Sequence, residues 1–412
     1  MRTFLSNCTL IDCAGNPPAR DSTIVIEGDL IAALRLGPGG TADASDKDLV
    51  LDLQGGFVTP GLWSVHSHLG FIFPDINHLM LQESVADYTI RAGRNAMDAL
   101  RVGITSIRSV GDRDFVDVAW KRAFASGLMI GPRLFVSGHY LCATGGHGYN
   151  WPGAVQVDGA SEMRKVVREQ LRRGVDHIKL AVTGGVATAG ESMEESQLFP
   201  DEIRAAVEVA HEKGKRVCVH AGGAGGVKAA IRGGVDCIEH GYYLDDEAIE
   251  LMAEREVFFV PTLFVTQDRE FMRKSGMSEE QIGKAQGAAE AHRAGFAKAL
   301  EAGVRIACGA DSSPIADHTL IEIEQLARAG MTPLQALMAS TRTCAELCGV
   351  DDRLGTLEVG KIADLIVVAD NPLDDLAHLR KLKRVFKGGK PVPTEPPPGL
   401  TDFWSLFMEL HS

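Results

Sequence analysis

Between Gly56 and Gly349, apolar runs of four to seven residues alternate with segments of helical periodicity. The runs are Leu62–His68, Ile104–Ser109, Arg133–Ser137, His177–Leu180, Arg216–His220, Cys237–His240, Val257–Val260 and Val304–Cys308. Strands that are apolar throughout, without an in–out alternation, are covered on both faces, and the helices between them supply that cover. Eight strand–helix units predict an α/β fold, a closed (β/α)8 TIM barrel. Ser161–Arg173, Asp201–Lys213 and Ala285–Ala302 are the clearest predicted helices. Thr332-Pro-Leu-Gln335 predicts a helix start, since threonine caps, proline fits the first turn and glutamine reaches back.

The flanking segments differ in texture. Thr23–Glu27 and Leu30–Leu34 enclose Gly28-Asp29, a hairpin signal, and Ala363–Ala369 and Arg384–Lys387 are again strands. Strands from both ends of the chain are expected to join in a small composite β-sandwich, residues 1–55 plus 355–395, beside a barrel of 56–354 and a C-terminal extension of 396–412.

The strand ends carry chemistry. Val65-His66-Ser67-His68 closes the first run, and residues i and i+2 of a strand share a face, so both imidazoles point together. On its own such a pair is more often two surface histidines on a loop. His220 and His240 close two further runs, and Asp311 follows Ile306–Ala310. Burying an ionised aspartate or an unpaired histidine is costly, and a shared cation removes the cost. Lys179 stands between apolar neighbours in a strand covered on both faces; it needs a charge partner, or carboxylation by CO₂ into an anionic carbamate.

Thr59-Pro-Gly-Leu-Trp-Ser-Val-His-Ser-His68, Lys179, His220, His240 and Asp311, in that order, resemble the metal-dependent amidohydrolase superfamily. Met331-Thr-Pro-Leu-Gln-Ala-Leu337 and Leu354-Gly-Thr-Leu-Glu-Val-Gly-Lys-Ile-Ala-Asp-Leu-Ile-Val367 extend the resemblance over nearly the whole chain. It is closest to the prolidase and imidazolonepropionase-like branch, which includes dipeptidases that release a C-terminal amino acid. The resemblance implies two divalent ions: His66, His68 and Asp311 on one, His220 and His240 on the other, with carboxylated Lys179 and a hydroxide between them. Asp311 is then the catalytic proton carrier, and the reaction is hydrolysis of a C–N amide bond in a dipeptide or N-acyl amino acid with a free C-terminal carboxylate. Zinc suits mixed imidazole and carboxylate ligation, and manganese, cobalt or iron are compatible with it.

Substrate contacts are expected at the mouth. His147, in the glycine-rich Thr144–Gly148 loop, is the first candidate by the same resemblance, with His139 second and Tyr242 and Tyr243 as hydrogen-bond donors. Some dipeptidase relatives carry a tyrosine or histidine two residues after the fifth-strand histidine; Gly222 stands here, and is expected to open space for a bulkier acyl group. The acidic run Glu191–Glu195 reads as a solvated loop. A lactone, cyclic amide or organophosphate hydrolase using the same metals is the alternative, followed by a non-catalytic scaffold barrel.

Composition narrows the partners. The net charge of −13, without a basic block, argues against nucleic acid. Val257–Val265 is too short to span a bilayer and contains Pro261, so no membrane partner is expected. Eight scattered cysteines with no CxxC pair, and no apolar leader, predict free thiols in a reducing cytoplasm. The expected partner is a small-molecule substrate; homo-oligomer formation is left open by one sequence.

Overall fold

The computed structural model describes residues 1–71, 83–267, 272–273, 277–396 and 398–400. Most of the expected C-terminal extension, 396–412, therefore lies outside the described residues. Seven of the eight apolar runs form parallel strands: Leu62–Ser67, Ile104–Ser109, Arg133–Phe135, His177–Ala181, Arg216–Gly223, Cys237–Tyr243 and Phe258–Val260. Nearly all their residues are buried, as expected for a sheet covered on both faces. Helices follow the strands, among them Val85–Arg101, Ala160–Arg173, Pro200–His211, Glu279–Glu301 and Ile315–Arg328. The Thr332 capping box forms as predicted: Thr332 Oγ1 accepts from Gln335 N at 3.2 Å, and Gln335 Oε1 accepts from Thr332 N at 2.8 Å.

Two of the expected strands are altered by competing partners. The Arg133 strand ends at Phe135, and beyond it the Asp176 carboxylate accepts from Val136 N at 2.9 Å, so a side chain fills a rung of the ladder. The Val304–Cys308 run makes only one isolated parallel bridge, Ile306 with Phe259. It still lies between the last and first strands, since Ala307 N donates to Phe259 O and Val65 N to Cys308 O, both at 2.9 Å. Its regular ladder is broken because Cys308 N donates to Ala339 O and Trp63 N to Ser340 O, at the end of the Pro333–Ala339 helix. Two short strands not expected from the sequence, Tyr140–Cys142 and Ala154–Gln156, extend the sheet beside His177–Ala181.

The chain's two ends build one auxiliary sheet of eight strands. Arg2–Leu10 pairs antiparallel with Ala19–Glu27, which returns through Gly28-Asp29 to Leu30–Arg35; Gly28 has φ +64°, as the tight turn requires. On its other side Arg2–Leu10 pairs with Leu49–Asp52 and Phe57–Pro60, and Phe57–Pro60 receives Leu365–Val368 from the far end of the sequence. Leu382–Lys387 and Lys390–Val392 complete it. Leu5, Leu10, Ile24, Val58, Leu365, Val367 and Phe386 form its core. Asp364 fastens this sheet to the parallel one, accepting from Arg133 Nε at 2.6 Å and from Gly388 N at 2.6 Å.

Candidate metal centre and active site

The strand ends converge as the spacing predicts. His66 and His68 present their rings to one point 5.7 Å apart, where Asp311 Oδ1 lies 3.2 Å from His66 Nε2 and 3.4 Å from His68 Nε2. One ligand atom from each lies within 4.8 Å of the other two. His68 is oriented by Gly111, whose carbonyl accepts from Nδ1 at 2.8 Å, and by stacking on Phe71. With Nδ1 engaged there, His68 turns Nε2 toward an aspartate oxygen. Burial drives the His66 imidazole down to about 3. Burial alone would raise the Asp311 carboxyl, but His66 and His68 beside it hold it well below the carboxylate range. Imidazole nitrogens and a carboxylate are the donor set a divalent ion takes.

His220 and His240 stand beside this cluster, their rings 4.4 Å apart and that of His240 4.9 Å from His66. Burial carries both well below the ordinary histidine range. Gly184 O lies 3.1 Å from His220 Nε2, and Thr262 Oγ1 2.8 Å from His240 Nδ1. His240 and Asp311 both adopt left-handed backbone, φ +72° and +52°, a strain that persists only where the surroundings over-determine it. Lys179 reaches the same centre, 4% exposed, and burial lowers its ammonium to about 8.

The sequence reading missed Glu239. It is fully buried next to His240, ion-paired with Lys179 and Arg108, and its Oε2 lies 3.4 Å from His66 Nδ1. The signal was present, a carboxylate inside the apolar run Cys237–His240, but strand alternation assigns adjacent residues to opposite faces. The left-handed turn at His240 lets both reach the centre.

Above these residues a cavity is walled by Val110, Trp151, Val186, Phe264 and Met277, with His147 and Tyr242 also in its lining. His147 stacks on His220, centroids 4.2 Å apart, and pairs through Nδ1 with Glu191. Tyr242 stacks on His240 at 5.3 Å. His139 and Tyr243 are not in this lining: His139 packs on Phe115 at 4.4 Å, and Tyr243 packs against the apolar cluster around Met193 and Ile282.

Two expectations about the loops are corrected. Glu191 is no solvated acid; besides His147 it accepts from Gly185 N at 2.8 Å and Gln197 Nε2 at 3.0 Å. Gly222 opens no space, because a Cβ there would meet Met193 O at 2.6 Å and Tyr242 Cδ2 at 3.0 Å. The segment of residues 183–196 lies directly on the strand ends, and a Cβ at Gly185 would fall 2.4 Å from the His147 ring and 2.7 Å from that of His220.

The model of the amidohydrolase family matches residues 57–392. The chain belongs to that family. This amidohydrolase is 32% identical over 406 residues to the ochratoxinase of Aspergillus niger, covering 90% of this chain and 83% of that protein. It is 26% identical to the imidazolonepropionase of Symbiobacterium thermophilum, over 85% of this chain and 83% of that one. Among solved structures, a Xaa-Pro dipeptidase with methionine bound in its active site superimposes with a TM-score of 0.86 at 32% identity, covering 95% of this chain and 100% of that one. The amidohydrolase is thus a metal-dependent hydrolase acting on small organic substrates, with a His66–His68–Asp311 metal-binding cluster. Among the described residues no helix is long and apolar enough to cross a membrane.

Proposed function

We propose that this enzyme hydrolyses the C–N amide bond of a dipeptide or N-acyl amino acid with a free C-terminal carboxylate, in a prolidase-like manner. The observation that carries this reading is the facing of His66, His68 and Asp311 at the floor of an apolar-walled cavity that has His147 in its lining. We take the parallel strands and the Val304–Cys308 segment as one (β/α)8 barrel of residues 56–354, beside a domain of 1–55 plus 355–395, in a cytoplasmic protein. His66, His68 and Asp311 would hold one divalent ion, zinc by its ligand preference, and His220 and His240 a second, with carboxylated Lys179 between them. Such ions, when bound, polarise a carbonyl and bring the pKa of water toward neutrality.

The chain's own residues supply the remainder. Asp311, ionised and placed between the two histidines of the first run, accepts the proton of the attacking water and returns it to the leaving nitrogen. His147, held by Glu191, offers its other ring edge to the substrate carboxylate. Trp151, Phe264 and Met277 receive an apolar side chain and exclude water. The likeness to a Xaa-Pro dipeptidase with methionine in its active site supports a substrate of this kind.

The test is a panel of dipeptides, N-acyl amino acids, lactones and aryl phosphate esters, run on zinc- or manganese-loaded and metal-stripped protein. Release of the C-terminal amino acid by the loaded enzyme alone is the expected result. Turnover confined to lactones or phosphate esters would sink the amide assignment, and protein that retains no divalent metal would sink the whole reading.

A further inference from the structure

Glu239 is a fully buried charged group beside the strand-end residues for which the proposed chemistry has no role. A carboxylate with no solvent exposure must be paired, and Arg108 alone would suffice. Arg108 is itself fixed, donating through Nε to Val65 O, in the strand that carries His66. It engages Glu239 Oε1, and Oε2 is turned toward Lys179 Nζ, with which it forms an ion pair, and toward His66 Nδ1 at 3.4 Å. A carboxylate serving only to glue two strands would not need its second oxygen turned toward two of the six strand-end residues. The strain at His240 points the same way, since its positive φ allows Glu239 and His240 to share one face.

We propose that Glu239 is a positioning residue of the metal centre, pinned by Arg108 so that its free oxygen orients His66 and holds Lys179 at the height of the cluster. The inference rests on the metal-hydrolase reading above. An imidazole oriented through Nδ1 presents Nε2 to the Asp311 side, and such outer partners fix the tautomer of a ligating histidine. Lys179 is held in either chemical form: an ammonium donates to the carboxylate, and a carbamate nitrogen keeps one N–H that can do so too.

The experiment measures zinc affinity by competition with a chelator, and zinc per chain by elemental analysis, on wild type, Glu239→Gln and the double variant Arg108→Leu/Glu239→Leu. The double variant replaces the buried pair by apolar groups, a change that is often tolerated, so it reports even where the single one does not fold. Circular dichroism melts identify the folded proteins. Each folded variant is expected to bind zinc about 10- to 100-fold more weakly than wild type. A structural ion pair would move the melt and leave the zinc affinity of the folded protein alone. Zinc affinity within about two-fold of wild type in a folded variant overturns the proposal and leaves the hydrolase reading standing. A wild type that binds neither zinc nor any other divalent metal overturns both.

Discussion

Asp311 and Lys179 occupy the centre with opposite electrostatic histories. Asp311 is held ionised by two imidazoles, whereas Lys179 is weakened as a cation by its burial. Asp311→Asn keeps the shape and removes the proton carrier, so kcat should fall by about 10²- to 10⁴-fold, measured with the amide substrate found by the panel. Lys179→Ala should abolish most turnover and weaken metal retention; unchanged turnover would refute its bridging role. The six strand-end residues were legible because a period of two and a run's end are written in the sequence. Glu239 was not, because its facing depends on the backbone angle of its neighbour, which no residue type announces.

At the scale of elements, the segment of residues 183–196 owes its position to glycines. Gly185→Ala would push a methyl group against the His147 and His220 rings. We expect KM to rise about tenfold, equivalent to ~1.4 kcal/mol of binding, with the melting temperature little changed. Steady-state kinetics beside a thermal melt will check both. The Thr332 cap offers a contrasting case far from the cavity: Thr332→Ala should cost about 1 kcal/mol in urea unfolding and leave KM as it was. The cap was legible because its partners stand three residues apart. Glu191 was misread because its partner, His147, is 44 residues away, and composition alone makes an acidic run look solvated.

For the whole molecule, buried histidines set the response to acid. His318 lies against Phe264 and His292 beside Thr266, and burial takes them down to about 3 and about 4. An unfolded imidazole titrates near 6.5, so below that pH the unfolded chain binds protons that the folded chain refuses. Stability of the metal-free protein should therefore fall as pH drops from about 6.5 toward 4, by up to ~1.4 kcal/mol per pH unit for each histidine. His318→Leu should flatten the dependence by about one proton's worth, measured as urea midpoints across that range. The strand–helix alternation made the fold class readable, but the irregular eighth strand was not, because its rungs go to the end of a helix some thirty residues later.

The pairing of Phe57–Pro60 with Leu365–Val368 also bears on how the protein is made. A ribosome delivers the first of these strands some three hundred residues before the second. Until then Phe57–Pro60 presents an unpaired edge that another nascent chain could occupy. Contacts of such long sequence separation form slowly, and the auxiliary sheet cannot close before Leu365–Val368 has been made, so that interval sets how long a newly made chain needs protection from its neighbours.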